Sequence, residues 1–329
     1  MILAGDIGGT KTNVALFDVN DGALSSPITP KSFPSAKYNS LDKILEEYVA
    51  EHRPQVTHAC FGIAGPVVEG RVETPNLAWQ VSDENLARTL NVRSVGLIND
   101  LEATAHGIEV LTEAQLYELN AGVSRRDGHR GLIAAGTGLG MAGIFWDGRE
   151  YHPLASEGGH ADFAPRTPLE IEFLKYMTGK LGGHVSYERA LSGPGLFNLY
   201  GFLREQNFAA EPAWLAEEIA SGDKTAAVSK AALAGKSELA MEALQMFIEI
   251  SGAMAGNLAL VLKAAGGLFI GGGIAPKLID KLKDGSFMRA FTDKGRLSGL
   301  VESIPVYVVL DDKTALYGAA RYAHKRSKA

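Results

Sequence analysis

Asp6-Ile7-Gly8-Gly9-Thr10 brackets two glycines with a carboxylate and a hydroxyl. Paired glycines let successive backbone N–H groups converge on an anion, and Thr10 adds a further donor. Asp6, at the end of a short apolar strand, can hold Mg²⁺ through water beside that anion. The plain alternative is a tight hairpin, which needs two special residues and neither flanking group. The pattern is not a P-loop, because Thr10 rather than lysine follows the glycines and no helix starts there.

A second glycine loop, Gly136-Thr137-Gly138-Leu139-Gly140, lies in mid-chain. Gly138, Gly140 and Gly143 satisfy G-x-G-x-x-G, and Glu157 lies near the distance of a ribose-binding acid. The dinucleotide reading fails on context: residues 141–146 continue as a strand, so no helix N-terminus faces a pyrophosphate. Ser156-Glu157-Gly158-Gly159-His160 then sets a carboxylate and an imidazole around two more glycines. With Asn99, Asp100 and Glu188 these form a dense polar set able to bind hydroxyls in pairs. A metal-ligand role for His160 has no support, because the histidines include no HExxH and no close pair. The bland alternative is a histidine in a core network, but neighbouring glycines favour a ligand-facing loop.

Asp100 follows the apolar run 95–98 where a helix starts. That is where α/β folds place ligand-facing groups, and it is equally the place for a helix N-cap; one residue can do both. Gly271-Gly272-Gly273, ahead of Pro276, either lets a planar group lie against backbone or makes a tight crossover. Gly252 and Gly256, inside a long helical stretch, read as close packing. There is no G-x-S-x-G elbow, so nucleophilic hydrolase chemistry is unsupported.

The elements that must position these groups follow from periodicity. Residues 2–4 and 13–17 read as strands joined by the first glycine turn, with a helix after Ser40 and buried strands at 59–64 and 95–98. Residues 131–146 read as a second strand, glycine turn, strand unit. Thr112 with Gln115, and Thr167-Pro168-Leu169-Glu170, read as capping boxes. Helices are expected at 195–205, 214–220, 224–233, 238–265 and 314–325, strands at 268–270 and 306–310, and a frayed basic tail from Lys325. The two strand–glycine–strand units, each followed by Asp18 or Asp147, echo one another. At a spacing of about 130 residues this is no solenoid; it implies two related α/β halves offering glycine loops to a shared cleft.

A chain of 329 residues holds about two domains. Its 46% apolar and 21% charged residues can bury enough surface to offset chain entropy, which excludes bulk disorder. With 32 basic against 38 acidic residues, the net charge of −6 argues against nucleic-acid binding. Cys60 is the only cysteine, so no intramolecular disulfide or Cys-rich zinc site can form and a reducing compartment is expected. Residues 1–10 lack the basic flank and apolar core of a signal peptide. Glu249 and Lys263 interrupt the longest apolar stretches before they reach a membrane span of ~18 residues. A cytoplasmic protein without membrane partners is expected.

Taken in order, these motifs resemble those of the bacterial glucokinases, members of the actin-like ATPase and sugar-kinase superfamily. The likeness runs through residues 6–10, Thr74-Pro75-Asn76-Leu77-Ala78-Trp79, Ile98-Asn99-Asp100, residues 136–140, 156–162, 184–196, 271–276 and Asp293-Lys294-Gly295-Arg296. It implies a two-domain actin-like (ribonuclease H-like) α/β fold with duplicated halves around a nucleotide cleft. A small domain would span 1–110 plus 301–329, and a large one 111–300. The resemblance implies ATP-dependent phosphorylation of glucose. Asn99, Asp100, Glu157, His160 and Glu188 would bind the sugar, with Asp100 as base. Asp6 would hold Mg²⁺; Gly8, Gly9, Thr10, Thr137 and Gly138 would line the phosphates; Gly271, Gly272 and Gly273 would border the adenosine. A homodimer is usual for the resemblance. Lys11-Thr12 is closer to a sister family of sugar kinases and sugar-responsive repressors, whose Cys-rich zinc motif this chain cannot form. A kinase of another hexose or amino sugar, or a non-catalytic sugar-sensing regulator, is the alternative.

Overall fold

The computed structural model describes residues 1–20, 23–74, 77–123 and 127–328. Pro75, Asn76 and Ala329 lie outside them. The chain divides into two compact units, one of residues 1–115, 152–155 and 311–329, the other of 116–151 and 156–310. The strand Val306–Val309, grouped by sequence with the C-terminal helix, belongs to the second unit, because it pairs in parallel with Gly267–Gly271.

In the first unit the strands run Ile28–Pro34, Lys11–Phe17, Ile2–Ile7, His58–Ile63, Val95–Asn99 across one sheet. Ile2–Ile7 and Lys11–Phe17 form an antiparallel hairpin, and His58–Ile63 and Val95–Asn99 continue the sheet in parallel. Alternating side chains feed two cores. Leu3, Val14 and Phe61 pack with Leu41, Ile44 and Tyr48 of the helix Leu41–His52. On the opposite face Ala4, Ala15 and Cys60 pack with Leu316 and Ala320 of the helix Thr314–Arg326. Lys325 and Arg326, expected in a frayed tail, complete that helix's last turn, where basic side chains suit the negative end of the helix dipole.

The second unit repeats the plan. Its sheet runs Leu116–Asn120, Val306–Val309, Gly267–Gly271, Arg130–Ala135, Leu139–Trp146 and ends on Tyr151–Ser156, of which only Tyr151 and Ser156 fall in this unit. Arg130–Ala135 and Leu139–Trp146 are again an antiparallel hairpin, and Gly267–Gly271 and Val306–Val309 again extend it in parallel. The internal echo in the sequence is thus a duplicated sheet, with Leu116–Asn120 added as an extra antiparallel edge.

The helix Glu238–Leu262 runs through the second unit's core. It is long and apolar enough to cross a membrane, which the interruptions in its sequence had not suggested, yet 61% of its most apolar window is buried inside the protein. Gly252 and Gly256 explain part of that burial. A Cβ on either would overlap the carbonyl oxygen of Phe287 or Phe291, so both glycines serve helix packing.

Candidate functional site

In the first unit the loop 8–10 joins the two hairpin strands. The Gly8 N–H donates to the Lys11 carbonyl at 2.9 Å. Fully buried Ser35 holds the loop from below. Its hydroxyl donates to the Gly8 carbonyl at 2.8 Å and lies 3.0 Å from the Thr12 hydroxyl. Its N–H donates to the Thr10 carbonyl at 3.1 Å. Thr10 itself is exposed. Nothing in the sequence around Ser35 marks it as the loop's support.

Asp6 is half-buried, and Asn13 donates to its Oδ2 at 3.4 Å. Loss of water pushes its carboxyl up from 3.8 to about 6, and the charges of Asp100 and Asp312 add to the rise against the Asn13 hydrogen bond. Asp312 was missed, although it follows an apolar strand as Asp6 and Asp100 do. Among the described residues no three His, Cys, Asp or Glu side chains form a metal cage. Mg²⁺ needs none: it commonly takes one or two carboxylates and fills its octahedron with water and substrate phosphate. An Asp6 carboxylate crowded by like charge fits that role.

Asn99 ends its strand, and the helix Asp100–Ile108 starts immediately. The helix cap is Asn99, not Asp100: Asn99 Oδ1 accepts from the Leu101 N–H at 2.9 Å while Nδ2 donates to the Gly65 carbonyl at 3.1 Å. Asp100 is the first helical residue, with Oδ1 accepting from the Leu101 N–H at 2.9 Å. Capping is thus taken over by its neighbour.

In the second unit a short bridge brings distant residues together. The Tyr187 N–H donates to the Ala161 carbonyl and the Phe163 N–H to the Val185 carbonyl, and Asp162 pairs with Ser186. The turns Gly158–His160 and Tyr187–Arg189 are thereby neighbours. Glu157, His160 and Glu188 come from these two turns; Glu157 and His160 are exposed and Glu188 is partly buried. His184 donates from Nε2 to the His160 carbonyl at 3.0 Å, and its Nδ1 lies 2.8 Å from Asp162 Oδ1.

The same turns grip the second glycine loop. Leu139 N–H donates to Glu188 Oε2 at 3.1 Å, and a Cβ on Gly138 would lie 2.7 Å from that oxygen. A Cβ on Gly159 would overlap the Leu139 carbonyl oxygen. The Gly193 N–H, at the start of the helix Gly193–Glu205, donates to the Gly136 carbonyl at 2.8 Å. Thr137 stands exposed at the tip. Gly272, at φ +84°, turns over Ala135, where any Cβ would meet the carbonyl oxygen. Gly272 and Gly273 are exposed beside the loop, whereas Gly271 is buried in its strand. Helix 168–181 begins as expected at Thr167, which accepts from the Glu170 N–H at 3.2 Å. The Glu170 carboxylate reaches one residue further back than a capping box requires, to the Arg166 N–H at 2.6 Å.

A sheet duplicated strand for strand, with a glycine loop in each hairpin, is the fold of the actin-like sugar kinases. The particular family follows from comparison: residues 3–326 match the family model described as Glucokinase, and the chain belongs to the glucokinase family. A glucokinase of Nostoc punctiforme is 41% identical over 97% of this chain and 98% of its own length. The solved glucokinase of an Antarctic psychrotroph superposes with a TM-score of 0.86 at 31% identity, covering 98% of both chains. A ROK-family glucokinase from Streptomyces griseus, solved with glucose and AMPPNP, shares the fold at a TM-score of 0.65 and 21% identity, covering 98% of this chain and 99% of that one.

Proposed function

We propose that the chain transfers the γ-phosphoryl group of ATP to the 6-hydroxyl of glucose. One observation carries this reading beyond family membership. Glu188, in the turn that neighbours the one carrying Glu157 and His160, is hydrogen-bonded to the second glycine loop, so hydroxyl-binding and phosphate-binding chemistry are contiguous in one unit. The Streptomyces griseus structure, with its glucose and ATP analogue, agrees with that pairing of ligands.

Glucose offers hydroxyls and no charge. Carboxylates at Glu157 and Glu188 accept hydroxyl hydrogens, His160 adds a ring nitrogen, and Asn99 uses what its cap bonds leave free. Asp100 is the general base: its carboxylate orients the 6-hydroxyl and takes its proton as the new P–O bond forms. Loop amides at 8–10 and 136–138 neutralise phosphate oxygens, so that catalysis is mainly positioning plus charge stabilisation. Gly272 and Gly273 border the adenosine. Asp6 holds Mg²⁺, which when bound screens the transferring phosphoryl group.

The test is ADP release from ATP over a panel of hexoses, with and without EDTA. Glucose-dependent, EDTA-sensitive release is expected; glucose binding without ADP release would instead identify a sugar-sensing regulator. The same reading carries a cytoplasmic homodimer, checked by cell fractionation and sedimentation equilibrium.

A further inference from the structure

We infer that Glu188 is a positioning residue for the nucleotide loop as well as a sugar ligand, so that one carboxylate couples the two substrate sites. The inference rests on the hexose reading for one of its two oxygens and is independent of it for the other.

The geometry divides the carboxylate. Oε2 accepts the Leu139 N–H at 3.1 Å and lies where a Cβ on Gly138 would sit, 2.7 Å away. Glycine at 138 therefore makes room for this carboxylate, in addition to any phosphate. The residue is itself anchored: the Ser192 hydroxyl donates to the Glu188 carbonyl at 2.8 Å and caps the helix Gly193–Glu205 through the Gly195 N–H at 3.0 Å. Gly193 closes the circuit by donating to the Gly136 carbonyl. Residues 136–139 are thus held at both ends by the segment 188–193. Among the described residues Oε1 has no hydrogen-bond or ion-pair partner, which leaves it to accept a sugar hydroxyl. A carboxylate that moves to meet sugar must drag Leu139 with it.

Two substitutions separate the roles. In Glu188→Gln the amide oxygen can still accept the Leu139 N–H, while the NH₂ group replaces a hydroxyl acceptor with a donor. Glucose KM should rise about tenfold or more, as for loss of a charge-assisted bond, with AMPPNP affinity in the absence of sugar within twofold of wild type. In Glu188→Ala the loop loses its acceptor. AMPPNP binding without sugar should weaken about tenfold, and the Leu139 amide should exchange with deuterium faster than in Glu188→Gln. Glu188→Asp, which retracts the carboxylate by one methylene, should behave like Ala toward AMPPNP and serves if Ala does not fold. AMPPNP affinity unchanged in both Ala and Asp variants overturns the inference, as does equal weakening by Gln and Ala. An unchanged glucose KM in Glu188→Gln removes Glu188 from the sugar site, yet leaves the loop measurement standing.

Discussion

Asp100 carries the sharpest test at the scale of single residues, because the helix cap is its neighbour Asn99. Asn99 caps the helix, and an asparagine at 100 can still accept the Leu101 N–H, so Asp100→Asn should cost the charge's interaction with the helix dipole, about 0.3–1 kcal/mol. Loss of a positioned base should lower kcat ~10²–10⁴-fold, with glucose Kd little changed. A variant keeping more than about a tenth of wild-type kcat, with normal Tm, excludes Asp100 as base. Asp6 predicts a pH effect of definite sign. Its carboxyl is raised from 3.8 to about 6 in the folded protein, so folding favours its protonated form and ionising it at neutral pH costs stability. At 1.36 kcal/mol per unit this is about 1–3 kcal/mol. The cost is complete above pH ~6, fades as pH falls through that value, and is absent below about 3.8. Asp6→Asn should therefore raise Tm at pH 7.5 but not at pH 3.5, while abolishing Mg²⁺-dependent turnover. An equal Tm difference at both pH values would contradict the linkage. Both aspartates were legible in sequence as acids closing apolar strands. Ser35 was not, since its value comes from a fold that carries strand 28–34 back beneath the loop.

Between elements, close approach of backbones sets the tolerances. Gly318 lies in the helix Thr314–Arg326, and a Cβ there would overlap the carbonyl oxygen of Ala103 in the helix that starts at Asp100. Gly318→Ala should destabilise by ~1–3 kcal/mol or more through forced separation of the helices, and should lower kcat by shifting Asp100. Gly179, exposed in the helix Pro168–Leu181, has nothing within 4 Å of a Cβ. Gly179→Ala should stabilise by ~0.5–1 kcal/mol through chain entropy. Denaturant melts of the two variants should move in opposite directions; two shifts of the same sign would refute the packing argument. Elements with punctuation were readable: Ser40 and Thr167 cap their helices through the bonds their side chains accept. Leu116–Asn120 carries no strand signal of its own, because its identity comes from pairing with Val306–Val309 rather than from its own alternation. Arg71–Glu73 and Gln80–Ser82 are three residues each, too short for a period to register.

For the molecule as a whole, duplication was visible as two motif sets in sequence, and the two sheets confirm it strand for strand. The unit boundaries were less legible, because a chain that leaves one unit at 115, rejoins it at 152–155 and returns at 311 carries no compositional mark at these crossings. Binding of substrate should register on global stability, since anything that binds only the folded state adds RT ln(1 + [L]/Kd). Glucose at a hundred times its Kd should add ~2.7 kcal/mol, and raise Tm by about 5–11 °C if each unit unfolds cooperatively. Glu157 and His160 are exposed, so Glu157→Gln and His160→Ala should leave the ligand-free Tm within about 1 °C, as surface changes commonly do. Each should lose most of the glucose-induced shift at that concentration while keeping the shift given by Mg²⁺ and AMPPNP. A full glucose shift in His160→Ala would remove His160 from the sugar site. Loss of both shifts together, with the ligand-free Tm unchanged, would mean that the turn 157–160 serves the nucleotide rather than the sugar.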